Sequence, residues 1–314
     1  MRERTFELWM DDGVELHVYR FEPESVPAKA AVQIEHGMAE HAGRYARVAE
    51  ALTAAGYAVY ADDHRGHGRT AQSPADLGWF AAQDGWSRVV EDFQALRERI
   101  EEEHPKRPVF LLGHSMGSLL AQSYAAKHGE GLAGLVLSGT GGGTGLLAKL
   151  GLWLAKAERK RLGPRGRSKL LQKASFGSYN KAFAPVRTEF DWLSRDAAEV
   201  DAYVADSLCG FDMTTQGWCD VISGVLEIES SATIAKVPRK LPVYLMSGAL
   251  DPVGRQTKGV RWLAAQYERV GMLDVRTRFY EGARHELFNE TNRDEVVAEL
   301  IAWLDGVLAQ RAAP

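Results

Sequence analysis

Cysteine is scarce: only Cys209 and Cys219 occur in 314 residues. Two are too few for a disulfide scaffold and lack the four-ligand spacing of a structural zinc site, so both read as small buried hydrophobes. An excess of positive charge is also missing. Lys and Arg number 38 against 42 Asp and Glu, a net charge of -4, which argues against a nucleic-acid binder relying on an overall basic surface. No stretch reaches the roughly 18 consecutive apolar residues of a membrane span, and Met1-Arg2-Glu3-Arg4 opens without the apolar run of an export signal. A reducing, cytoplasmic location is the default expectation. What is present, 45% hydrophobic and 25% charged residues, is the composition of a folded globular protein, and the length suits two domains or, equally, one α/β core carrying an insertion.

Two alternating runs, Thr5 to Met10 and Val14 to Phe21, flank Asp11-Asp12-Gly13 and predict an opening β-hairpin. After Pro27, apolar strand-like runs at Ala30–Ile34, Tyr57–Ala61, Val109–Leu112, Gly134–Leu137, Val243–Met246 and Val275–Tyr280 alternate with segments of 3.6-residue periodicity. These helical segments are Tyr45–Ala55, Trp86–Glu102, Gly117–Lys127, Gly259–Val270 and Asp294–Gln310. Such alternation predicts an α/β fold with a mostly parallel central sheet covered by helices on both faces. It stops between about Thr140 and Lys236, where helical patterns occur without a core strand. That stretch reads as an insertion, 140–236, dividing the core into 1–139 and 237–314. It opens on Gly139-Thr140-Gly141-Gly142-Gly143, which reads as a flexible hinge. Its charge is segregated: nine Lys/Arg and one acid from Lys149 to Lys173, then three Lys/Arg and ten acids from Ala174 to Ala235.

The strongest chemical signal is Gly113-His114-Ser115-Met116-Gly117, between the apolar run Val109–Leu112 and a helical pattern. A G-x-S-x-G in that context is a nucleophile elbow, whose glycines leave room for a tight turn presenting the Ser115 hydroxyl. Serine is a weak nucleophile at its free pKa and needs a histidine base oriented by a carboxylate, here in the chain order Ser, acid, His. Asp251 and His285 follow the strand-like runs Val243–Met246 and Val275–Tyr280 and satisfy that order. Asp62 and Asp63 precede the serine, and Glu286 adjoins the histidine and would point elsewhere. An oxyanion hole needs two backbone N–H groups, expected from Met116 and from Met38 in His36-Gly37-Met38. The alternative, His36-Gly37 as a plain strand-ending turn, is less economical. His64 and His67 stand three apart without a third ligand of matching spacing, so no metal and no cofactor are expected.

His36-Gly37-Met38-Ala39-Glu40-His41 with Arg44-Tyr45, then Asp63-His64-Arg65-Gly66-His67-Gly68, Gly113–Gly117 and Arg284-His285-Glu286 together resemble the α/β-hydrolase branch of monoacylglycerol lipases and bacterial lysophospholipase-like enzymes. The resemblance spans nearly the whole chain. It implies a helical cap inserted after the sixth strand, covering about 140–236, forming an acyl tunnel and approaching the membrane. It implies a lipid ester as substrate, and places Glu40 and Arg44 near a polar, glycerol-binding end. Without the resemblance, those two residues read as a helix-start ion pair.

Three functions follow for testing. The first is a serine carboxylester hydrolase acting on monoacylglycerol, with lysophospholipid or general esters as variants. The second is an aminopeptidase of the same fold, for which Glu189, Asp191, Asp196, Glu199 and Asp201 would supply an amine pocket. The third is a catalytically silent binding protein. Leu146, Leu147, Leu150, Trp153 and Leu154 recur at helical spacing among Lys149, Lys156, Arg159, Lys160 and Arg161. This basic amphipathic pattern suits a helix lying on a membrane surface, one packed on the protein, or one in a dimer interface.

Overall fold

The computed structural model describes residues 1–24 and 27–312, so residues 25–26 and 313–314 of the two expected core segments lie outside the described residues. The opening hairpin forms as expected: β1 (Arg2–Trp9) and β2 (Glu15–Glu22) pair antiparallel, and the turn closes at Gly13, whose φ of +83° suits glycine. β3 (Ala30–Glu35), α1 (Ala46–Ala54), β4 (Tyr57–Asp62), α2 (Gly85–Glu103), β5 (Val109–His114), α3 (Met116–His128) and β6 (Gly134–Ser138) follow. Then come five helices, α4 (Leu146–Leu162), α5 (Lys169–Phe176), α6 (Ala197–Ala205), α7 (Thr215–Ile228) and α8 (Ser231–Ile234). The chain ends with β7 (Val243–Gly248), α9 (Lys258–Arg269), β8 (Val275–Tyr280) and α10 (Arg293–Ala312).

The strands form one eight-stranded sheet in the order β1-β2-β4-β3-β5-β6-β7-β8, parallel from β4 to β8. Its central strands are mostly apolar because both faces are covered, the buried Gln33 and Glu35 of β3 being polar. Leu111, Leu135, Leu137, Val243 and Leu245 point to the face packed by α2, α3 and α9. Phe110, Leu112, Val136, Tyr244 and Met246, in the alternate register, point to the face packed by α1 and α10. The period-2 alternation of side chains thus divides each run between two cores. Every parallel strand delivers its carboxyl end to the same edge, where open α/β sheets place ligands. The loops after β3, β5, β7 and β8 carry Met38, Ser115, Asp251 and His285.

The glycine run after β6 has a different role from the one its composition suggests. A Cβ at Gly142 would lie 2.7 Å from the Trp262 ring, and one at Gly143 would lie 2.9 Å from it. The backbone N–H groups of Thr144 and Gly145 and the Thr144 hydroxyl donate to the Glu229 carboxylate at 2.8–3.1 Å. The glycines therefore permit close packing against α9, and the segment is tied at both sides. Composition alone could not foresee this, because the packing partner lies more than 100 residues away.

Candidate active site

Ser115 sits between β5 and α3 with φ 51° and ψ -119°, a conformation that costs a non-glycine residue on the order of 1–3 kcal/mol. The surroundings hold it there. A Cβ at Gly117 would collide with the Glu35 and His36 carbonyls, and one at Gly113 with the Gly117 carbonyl, so both positions require glycine. The Ser115 N–H donates to the Ser138 carbonyl at 2.9 Å, while the Ser115 carbonyl accepts from the Ser118 N–H at 2.9 Å. The hydroxyl faces a cavity of about 540 Å³ that Met38, His285, Phe176, Trp192 and Phe211 also line.

His285 lies in this cavity and is almost completely buried. Its Nδ1–H donates to both carboxylate oxygens of Asp251 at 3.0 Å each. Asp251 is fully buried and also accepts the Val253 N–H at 2.8 Å. Burial by itself would lower the imidazole pKa, but the Asp251 charge and hydrogen bond outweigh it and hold His285 above its ordinary value of 6.5. His114, with its ring centroid 4.7 Å from that of His285, is pushed down to about 4 by burial and by His285. It is therefore neutral near pH 7. Gly139, at φ +57°, admits both rings: a Cβ there would stand 3.0 Å from each.

Met116 is the first residue of α3, and Met38 follows Gly37 on the loop after β3. Among the described residues neither backbone N–H has an acceptor, which leaves both available to an incoming oxygen. Gly37 brings the loop against the serine, since a Cβ there would be 3.1 Å from the Ser115 Cβ. The inserted segment holds this loop in turn. The Ala39 carbonyl accepts the Tyr203 hydroxyl at 2.8 Å and the Gly210 N–H at 2.9 Å.

The structure thus gathers Ser115, Asp251, His285, Met38 and Met116 at one sheet edge. Glu40 lines the same cavity, but Arg44 does not: it lies behind Glu40, paired with it and with Glu286. Trp192, whose ring lies 5.0 Å from His285, was invisible to motif reading because it stands in a stretch without recognisable spacing. His64 does gather partners, though not His67. Its Nδ1 is 3.3 Å from Asp62 and 3.7 Å from Glu35. Among the described residues, Glu35, Asp62 and His64 form one of two clusters with ligand atoms close enough for a cation; His41, Asp206 and Cys209 form the other. Burial raises the Glu35 carboxyl well above the usual range, with the Asp62 charge adding to the effect. Cys219 is buried as expected, whereas Cys209 is only partly so.

The fold and the convergence of these groups at the carboxyl edge of the sheet define an α/β hydrolase. The chain belongs to the family described as "Serine aminopeptidase, S33", whose model matches residues 26–292. It is 31% identical over 298 residues to a monoacylglycerol lipase of Mycolicibacterium smegmatis, covering 93% of each chain. It is 29% identical to the monoglyceride lipase of Mus musculus, over 96% of this chain and 90% of that one. Among solved structures, a thermostable carboxyl esterase from Bacillus coagulans in complex with glycerol superposes with a TM-score of 0.90 at 30% identity, covering 98% of this chain and 99% of that one.

Proposed function

We propose that this enzyme hydrolyses the carboxylic ester of monoacylglycerols through an acyl-enzyme. Ser115 attacks the carbonyl, and His285 takes the proton and returns it to the glycerol oxygen. Asp251 holds the imidazole, and the Met38 and Met116 amides receive the oxyanion. Water deprotonated by His285 then attacks the acyl-enzyme and releases the fatty acid. The observation carrying this reading is the bidentate Asp251–His285 contact, at 3.0 Å to each oxygen, beside an elbow serine in an aromatic-walled cavity. Similarity to monoacylglycerol lipases over most of the chain supports the head group.

The aminopeptidase alternative needs free carboxylates in the pocket, and four of the five acids proposed for it are engaged elsewhere. Asp196 pairs with Arg293, Glu199 with Arg47 and Asp201 with Arg187. Asp191 accepts the backbone N–H groups of Arg187 and Thr188. Of the five, only Glu189 lines the cavity. Comparing turnover of monoacylglycerols, p-nitrophenyl esters and amino-acid p-nitroanilides tests the assignment. Turnover of the anilides alone would overturn it.

Residues 140–236 act in this reading as a cap that delivers substrate. No helix among the described residues is long and apolar enough to cross a membrane. On α4, however, Leu146, Leu147, Leu150 and Trp153 are 57–74% exposed along one face, while Leu154 packs on the core. Lys149, Lys156, Arg159 and Lys160 form no ion pair among the described residues. Each cation near an anionic bilayer contributes about 1 kcal/mol, enough together for salt-sensitive peripheral adsorption. Co-sedimentation with anionic vesicles should fall at high salt and after exchange of Lys156, Arg159 and Lys160 for Gln. Equal binding before and after that exchange contradicts it.

A further inference from the structure

Glu40 and Arg44 stand beside the cavity, yet their bonds run inward. The Gly37 N–H donates to Glu40 Oε1 at 2.6 Å, and the Tyr45 hydroxyl donates to the same atom at 3.1 Å. Glu40 Oε2 accepts from Arg44 Nη1. The Arg44 guanidinium also donates through both Nη atoms to the two oxygens of Glu286, each at 2.7 Å. Glu286 follows His285 directly, and its own N–H donates to the Leu193 carbonyl at 2.7 Å. Arg44 is only 12% exposed and lies 4.9 Å from the centre of the Tyr203 ring. The void it borders, shared with Tyr45, His114 and Glu286, measures about 10 Å³. That is room for about one water molecule, and none for a glycerol group.

We infer that Arg44 is a positioning residue: through Glu40 and Glu286 it sets the spacing between the oxyanion backbone at Gly37–Met38 and the loop bearing His285, and it does not bind substrate. The inference rests on the ester-hydrolase reading of Ser115 and His285. A planar fork can bridge two carboxylates at once, bidentate to one of them, which a lysine ammonium cannot reproduce. Displacing either loop misaligns base and oxyanion donors, and errors of about 1 Å cost on the order of 10²-fold in rate.

The charges around His285 supply a second readout. Asp251 faces it from the loop after β7, His114 from β5, Glu40 from the loop after β3, and Glu286 is its chain neighbour. From the inserted segment come Trp192, which is uncharged, and Tyr179 near Asp251, which burial keeps protonated up to about 12. Arg44 offsets two of these carboxylates. Arg44→Gln should therefore move the acid limb of kcat/KM to higher pH, and Glu286→Gln should move it lower.

The experiment measures kcat and KM for wild type, Arg44→Lys, Arg44→Gln and Glu286→Gln with p-nitrophenyl butyrate and with a monoacylglycerol. The expected result is a loss of kcat of about 10- to 100-fold on both substrates with KM changed less than about 2-fold, and pH limbs that move in opposite directions. Arg44→Lys retains the charge and carries the rate comparison if Arg44→Gln does not fold. A raised KM for monoacylglycerol with p-nitrophenyl butyrate unaffected would assign Arg44 to the head group and overturn the inference, as would an Arg44→Lys variant as active as wild type. If wild type turns over neither ester, the ester-hydrolase reading itself fails, and that outcome is distinct from both.

Discussion

Replacing Asp251 by Asn conserves volume while removing the charge that faces His285. In the native site both Asp251 oxygens accept the Nδ1–H at 3.0 Å. Asn offers one acceptor oxygen, and its amide can turn toward Nδ1 and favour the tautomer with the proton on Nε2, where the serine proton must go. In serine triads this change costs about 10⁴ in kcat, or roughly 5.5 kcal/mol of transition-state stabilisation at about 1.36 kcal/mol per tenfold. The same substitution removes a pH dependence of stability. His285 is raised above 6.5 in the folded protein, so its pairing contributes stability that is fully present below 6.5 and fades as pH rises through the folded value. Without Asp251, burial lowers the imidazole pKa against only the weaker pull of Glu286 and Glu40, so the stabilising contribution of His285 at acid pH is lost. The thermal midpoint of Asp251→Asn should therefore fall further below wild type at about pH 5.5 than at about pH 8.5. Paired melts at the two pH values measure the gap, and kcat on p-nitrophenyl butyrate measures the rate. A gap that is wider at alkaline pH, or a rate within about tenfold of wild type, would refute the role given to Asp251.

Further outcomes follow from the same geometry. The acid limb of kcat/KM in wild type should fall above 6.5, the ordinary histidine value, because Asp251 outweighs burial at His285; a pH-rate profile reads it directly. Gly37→Ala places a Cβ 2.6 Å from Glu40 Oε1 and 3.1 Å from the Ser115 Cβ, so kcat should drop about 10²-fold and the denaturant midpoint should fall with it. Gly142→Ala, 2.7 Å from the Trp262 ring, should instead cost about 1–3 kcal/mol of stability by overpacking, measured by urea unfolding.

Legibility in the sequence followed the range of the interaction. The sheet was readable because strands covered on both faces run mostly apolar, as in Val109–Leu112 and Val243–Met246, and because helices of 3.6-residue period separate them. Ser115, Asp251 and His285 were readable because each stands just past such a run, and because the elbow needs glycine on both sides of Ser115. Features made by distant partners were not readable. Arg44 finds Glu286 242 residues away, Thr144 finds Glu229 85 residues away, and Trp192 reaches His285 from a segment with no strand to mark its direction. The same limit explains the glycine run at 139–143, whose composition suggests looseness while its packing against Trp262 requires the absence of side chains.

The mechanism depends on Ser115 being the nucleophile whose oxygen forms the bond to the acyl carbon. Reaction with a fluorophosphonate, followed by digestion and peptide mass analysis, tests it most directly. The account predicts one covalent adduct, on Ser115, formed with concurrent loss of esterase activity and absent from a folded Ser115→Ala variant. An adduct on another residue, or ester turnover surviving in Ser115→Ala, would contradict it.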